Sequence, residues 1–484
     1  MNRRPIIRKK ILSLILLSCA LPMSNHYALA NPEEQPVSFF EAWQAIGKEN
    51  DALKAARAGV EQAQFSQEGV KGLYLPEVGI SASYLYLDDA ITLSPNDLFE
   101  SMAAGDQARY LAGQFAQSYG VTATELNAGL TSTIAERDNA TSSVRAKWPI
   151  YTGGRITAAQ DIATGQVNEA EQNLRKQTLE QFENLVRYYF GVVLANQVYE
   201  TRKEVEIGLR KHRDNAVLME KEGQIARVER MQSEASLDKA IVESKKARGD
   251  LEIAKVALTR LLKSSDPVSP ADPLFILDEL PPISQFLEET LGTYPDLFIL
   301  DAKKEQAEGL AVAEKGKYFP TVAVFGDYSL YEEDNLATKL KPEWVVGVGL
   351  NLPLLERSGR SGKHQAARSA IKRIDHLHVQ ARSDLTVLIE KTYRQAEQAL
   401  DEYKGLRSSQ QLAEETVALR VKAFSQGVST SLDVVDAELF LAGVKTQRAI
   451  AVYNYVISLG RLVAVSSTHE SFSNYQKNNG IEDF

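Results

Sequence analysis

VRAKWPIYTGGR (residues 144–155) decides the fold, together with its echo VGVGLNLPLLERSGR (residues 346–360). In each, a short alternating run reaches a proline, a glycine-bearing turn follows, and a very long proline-free stretch begins. The junction positions are Pro149, Gly153 and Gly154 in the first copy and Pro353 and Gly359 in the second. Alternation with period two is the mark of a strand, and the proline and glycine mark the change of backbone geometry.

Outward from the junctions, the chain reads as one unit used twice. Residues 31–75 carry Phe39, Trp43, Ile46, Leu53, Ala56, Val60 and Ala63 at helical spacing, with a bend at 48–51. Pro76 stops that helix. Val78, Ile80, Ala82, Tyr84 and Tyr86 then alternate with Gly79, Ser81 and Ser83, the pattern of a strand with one apolar face. Residues 76–149 form a first hairpin whose connection, 88–139, has weak patterning and reads as a long loop with room for a short helix. Residues 150–266 hold no proline over 117 positions. That length exceeds any ordinary globular helix and reads as a coiled-coil-like rod turning near Gly223.

Residues 267–282 complete the five-proline stretch DPVSPADPLFILDELPP and read as an irregular linker. The unit then recurs: helices at 283–319, broken at Thr293-Tyr294-Pro295, a second hairpin at 320–353, and a second rod at 354–466 turning near Gly427. Residues 467–484 read as a flexible tail. Pro76 answers Pro320 at an offset of 244, and Gly223 answers Gly427 at 204; the longer first loop accounts for the difference.

Composition narrows the setting. The chain has 484 residues, one Cys and a net charge of −9. Residues 1–30 contain five basic side chains, a short apolar run and Ala28-Leu29-Ala30, which reads as a secretory signal. Its removal would leave −14, a balance that gives no support to nucleic-acid binding. Leu16 to Cys19 loosely resembles a lipoprotein box, so lipidation of Cys19 stands as a second reading. Beyond this segment no run of 18 apolar residues occurs, so a membrane crossing would have to use strands. Four strands cannot close a barrel, and an open sheet is not viable in hydrocarbon. The strands therefore imply either a soluble protein or a barrel shared among copies.

No catalytic constellation is present: no HExxH, no phosphate loop, no nucleophile elbow. His376 and His378 are two apart and do not share a helix face. No enzyme activity, cofactor or metal site is expected.

The motifs WPIYTGGR (148–155), LPLLERSGR (352–360) and FSQGVSTSLDVVDAE (424–438) resemble the TolC family of outer membrane efflux proteins, over essentially all of 37–465. The resemblance implies an outer-membrane β-barrel plus a long α-helical barrel: a homotrimer with four strands per protomer and two repeated hairpin/helix-pair units. The copy number is not something periodicity supplies. The implied place is the outer membrane of a Gram-negative bacterium, with a periplasmic extension. The implied partners are outer-membrane lipid, a periplasmic adaptor protein and an inner-membrane pump or ABC exporter. The implied role is the exit duct of an efflux pump or type I secretion system; a secreted coiled-coil scaffold is the alternative from another class.

Carried over residue by residue, the resemblance makes Asp433 and Asp436 the channel gate. Three apart, they share a helix face, and repeated around an axis they would make a negative throat whose crowding raises some of their pKa values. The gate-lock region maps to Glu229, Arg227, Arg230, Phe424 and Ser429. Phe424 lacks the hydroxyl of the family's lock tyrosine and Ser429 replaces its arginine, so Arg227 and Arg230 are candidates for substitute ion pairs. Gly223 and Gly427 mark the tips that would dock the adaptor. Lys147 and Arg145 should face the lumen.

Overall fold

The computed structural model describes residues 34–477, apart from 278, 333–337, 339 and 340. The signal segment, Cys19 and the last residues of the tail lie outside the described residues, as does part of the second hairpin's turn.

A short strand β1 (Gln35–Val37) leads into α1 (Phe39–Glu49) and α2 (Asp51–Lys71). Ser38 and Glu41 form a capping box on α1, Asn50 ends α1 through its backbone N–H to Ile46 O, and the Asn50 side chain caps α2. That is why the bend falls at 48–51. β2 (Glu77–Tyr86) follows.

The stretch 88–139, expected as a long loop with room for a short helix, is built from more elements than that. It holds β3 (Ile91–Leu93), α3 (Pro95–Ser101), α4 (Gly105–Ser118), α5 (Ala123–Leu130) and β4 (Ser132–Ala135). Capping boxes Ser94/Asp97 and Thr122/Glu125 start two of those helices, and β3 pairs antiparallel with β4. Short polar caps, rather than long hydrophobic periodicity, define α3 and α5, so a periodicity reading passes over them.

β5 (Asp138–Tyr151) returns and does not stop at Pro149. It runs past it through a register irregularity against the neighbouring strand, and α6 (Arg155–Lys221) starts only after Gly153 and Gly154. Proline at a bulge costs no ladder hydrogen bond, whereas two consecutive left-handed glycines end any strand.

α6 packs along α7 (Arg227–Leu261). The buried residues of α7 are Ser233, Leu237, Ala240, Ser244, Ala247, Leu251 and Leu258. They recur at four and three, the heptad seam, and their small size lets the helices approach closely.

The proline-rich 267–282 stretch, expected as an irregular linker, holds a strand and buried core residues. β6 (Val268–Pro270) pairs in parallel with β1, and Leu274, Phe275, Ile276 and Leu277 are buried. α8 (Ile283–Thr293), α9 (Pro295–Gly316), β7 (Thr321–Glu332), β8 (Trp344–Asn351), α10 (Arg360–Ser425) and α11 (Ser431–Val465) complete the second unit.

α12 (Phe472–Lys477) lies in the expected tail. Phe472 is 0% exposed and its ring meets those of Phe39, Phe182, Phe190 and Phe275. The tail is therefore anchored in the core at Phe472, because that one ring completes a cluster with four phenylalanines scattered along the sequence.

That cluster is the centre of the largest core, where α1, α6, α8, α10 and α11 converge. Among the described residues, α11 is the one helix long and apolar enough to cross a bilayer, yet 72% of its apolar window is buried inside the protein, so it is a core helix.

Candidate functional site

Two regions carry the functional geometry: the four-stranded sheet at one end and the helix tips at the other. The sheet order is β2-β5-β7-β8, antiparallel throughout. Its register sorts the two faces. Val78 pairs with Ala146, Ile80 with Val144, Val144 with Tyr328, Trp148 with Val324, Val324 with Val348 and Tyr328 with Trp344. One face is thus apolar from edge to edge, and Val78, Ile80, Tyr84, Val346, Val348 and Leu350 on it are exposed in the single chain.

The opposite face sets Glu77 across from Lys147, Ser81 from Ser143, Ser83 from Thr141 and Arg145 from Asp327. Arg145 Nε donates to Asp327 Oδ2 at 2.9 Å, and the Ser83 and Thr141 hydroxyls are 2.8 Å apart. Arg145 and Lys147 share this polar face. In the described residues β2 and β8 are the sheet's two edges, each paired on one side.

Glycine geometry joins this sheet to the rods. Gly153 has φ +65° and approaches Gly316 so closely that a Cβ on it would sit 2.5 Å from the Gly316 carbonyl oxygen. Gly154 (φ +81°) and Gly359 (φ +67°) are the left-handed residues from which α6 and α10 start. The arginine after each ties the turn down. Arg155 donates to Thr152 O (2.9 Å) and Thr321 Oγ1 (2.7 Å); Arg360 donates to Pro353 O (2.8 Å) and lies over the Tyr318 ring.

At the other end the two rods reverse in the same way. Gly223 and Gly427 both have φ +73°. Gly223 N–H donates to Glu220 O and Gln224 N–H to Met219 O; Gly427 N–H donates to Phe424 O and Val428 N–H to Ala423 O. This is the Schellman closure of a helix C-terminus, which a left-handed glycine permits.

Next to the second tip, Asp433 sits at the third position of α11 in a capping box with Thr430. Its Oδ2 accepts from Thr430 Oγ1 (2.7 Å), Thr430 N (2.9 Å) and Ser429 Oγ (3.0 Å), and Arg420 Nη1 lies 3.5 Å from Oδ1. The Thr430 and Ser429 donors hold its pKa down to about 2. Within one chain the direction is thus opposite to the crowding-driven rise expected of a throat. Asp436 is exposed and lines a cleft of about 450 Å³ with Arg202, Lys239 and Glu243.

The lock-region residues take definite places. Phe424 is 2% exposed and packs with Ala216, Met219 and Val434; it is core. Ser429 caps Asp433. Arg230 bonds Glu220 and Glu234, both at 2.5 Å, within its own helix pair. Arg227 is exposed at the start of α7. Glu229 crosses between the pairs: its Oε2 accepts from Ser431 N at 2.7 Å, so it caps α11 from outside.

Sequence reasoning missed three residues here: Arg420, Ser431 and His212, whose Nε2 lies 2.7 Å from Ser431 Oγ. The signal for His212 was present, since it occupies the seam Val205, Leu209, His212, Ala216, Met219 at alternating four and three. His378 Nε2 is 3.7 Å from Asp301; among the described residues, no group of three or more His, Cys, Asp or Glu could hold a metal.

The family model described as outer membrane efflux protein matches residues 43–263 and 286–467. No curated protein matches the sequence. Among solved structures with a similar fold are the following three. For CusC, whose crystal structures address folding and transmembrane channel formation, the TM-score is 0.72 at 14% identity over 90% of this chain and 93% of that one. For the outer membrane protein VceC of Vibrio cholerae the TM-score is 0.69 at 15% identity, over 92% and 97%. For the open state of the Neisseria gonorrhoeae MtrE outer membrane channel it is 0.68 at 17% identity, over 89% of each chain.

Proposed function

The chain belongs to the outer membrane efflux protein family, and from that premise we propose that three copies form one continuous duct. The protein is an outer-membrane channel, not an enzyme. In the proposed assembly, β8 of each copy pairs with β2 of the next, giving a closed barrel of twelve strands in which every edge is satisfied. The carrying observation is the register: it makes one face apolar across all four strands and gathers Glu77, Arg145, Lys147 and Asp327 on the other. The first face suits lipid and the second a water-filled lumen. A secreted scaffold would leave that apolar face in water.

The helix pairs continue the duct into the periplasm, where the Gly223 and Gly427 tips form its inner end and the dock for a periplasmic adaptor. An inner-membrane pump or exporter would supply the substrate through that adaptor. Asp433 and Asp436, three-fold repeated, would line the aperture and favour cations. The test is the mass of the detergent-purified protein and its current in planar bilayers. A trimer that conducts is expected; a monomer that stays soluble without detergent and carries no current overturns the assembly.

A further inference from the structure

Resting on that reading of the tips as the gate, we propose that His212, Ser431 and Glu229 form a latch joining the two helix pairs, and that taking up a proton on His212 releases it. The three residues come from three helices. His212 lies on α6, Glu229 opens α7, and Ser431 is the first residue of α11. The Ser431 hydroxyl meets His212 Nε2 at 2.7 Å, while the Ser431 N–H donates to Glu229 Oε2 at 2.7 Å. One residue is thus held from both sides by the first-repeat pair. It is the residue two positions before Asp433 and five before Asp436, so moving α11 away from α6 and α7 to widen an aperture must break both bonds.

The latch is dry. Ser431 is 0% exposed and His212 5%, and the Phe424 ring lies edge-on to the imidazole at 4.4 Å. A neutral imidazole fits this site, and burial makes the charged form costly, holding His212 below its usual pKa. The groups facing it are few. From α7, Glu229 pulls the other way but less strongly. From α10, the neighbour is the uncharged Phe424, while Arg420 is directed at Asp433. On α11, Asp433 is held ionised by its cap at any ordinary pH. Two turns away, Glu438 abuts Gly208 of α6 and is pushed up by burial.

The sign follows from linkage. With the pairs parted, His212 meets water and regains an ordinary pKa near 6.5. Protons then bind the parted state better than the latched one, so acid favours opening. The effect begins as pH falls below about 6.5 and saturates below the lowered value of the latched state; its ceiling is about tenfold per pH unit for each latch.

The experiment measures opening of the full-length channel in planar bilayers from pH 7.5 to 5, for the parent and for His212→Gln and Glu438→Gln. Glutamine keeps a neutral partner for Ser431 and cannot be protonated in this range. The parent should open several-fold more at pH 5. His212→Gln should stay as closed at pH 5 as at pH 7.5, with its trimer intact on gel filtration, and Glu438→Gln should behave as the parent. A His212→Gln channel with the parent's acid response overturns the latch, as does a response lost only in Glu438→Gln. Absence of any current from all three proteins would instead overturn the channel reading itself.

Discussion

At the residue scale, Asp433 shows how one carboxylate can belong to a helix cap and to a proposed gate. Its bonds to Thr430 and Ser429 aim it at the α11 N-terminus, where a negative charge is favourable. Asp436, one turn on, is exposed. The two acids therefore differ in freedom, although the sequence sets them side by side. Replacing Asp436 with Asn should weaken cation preference in bilayers and leave trimer stability unchanged. Replacing Asp433 with Ala should lower both, because its half of the capping box is lost as well. Reversal potentials and thermal melts of the two variants separate these outcomes. The pH sign is fixed by the direction of the shift: the contribution of Asp433 to stability is present above its unfolded value near 3.8 and is lost only as pH falls through about 2. Its charge should persist across the whole range in which the histidine latch responds.

Elements in this chain are decided by their ends. α6 and α10 each begin and end at left-handed glycines, and α11 begins at a capping box. Gly153 and Gly154 illustrate two different demands. Both need a positive φ, but only Gly153 also lies against backbone, that of Gly316. A Gly154→Ala chain should lose about 1–2 kcal/mol, the cost of a left-handed alanine. A Gly153→Ala chain should lose distinctly more, since its methyl cannot move the Gly316 carbonyl without shifting α9. Comparing melting temperatures checks the order; equal losses would mean that the junction yields easily. The rods, hairpins and tip glycines were legible in the sequence because proline, glycine and seam spacing are local signals. The 88–139 helices were not, because capping boxes on short helices give little periodicity. The strand running through Pro149 was not, because a bulge is a property of two strands.

For the whole molecule, the sheet's apolar face is the feature that demands partners. Val348 is near the middle of β8 and exposed on that face. An arginine there should cost about 2–4 kcal/mol if the residue meets the bilayer midplane. Val348→Arg should therefore reduce trimer recovered from outer membranes, whereas Gly349→Arg, on the opposite face, should cost less in assembly and alter conductance instead. Equal yields for both variants would argue that neither face meets lipid. The helical end holds together differently: around Phe39, Tyr189 and Phe472, segments more than 400 residues apart share one aromatic core. That packing fixes where both helix pairs emerge, and so where their tips meet.

The amino-acid order alone determined the double unit, the strand faces, the length of the rods and the places where they reverse, since each is written in spacing between near neighbours. Tertiary structure alone decided which residues meet between the pairs. Glu229 and Ser431 are 202 positions apart, and His212 and Ser431 are 219 apart. No local pattern couples residues at that distance; only the packing of α11 against α6 and α7 brings a histidine, a serine and a carboxylate to one point.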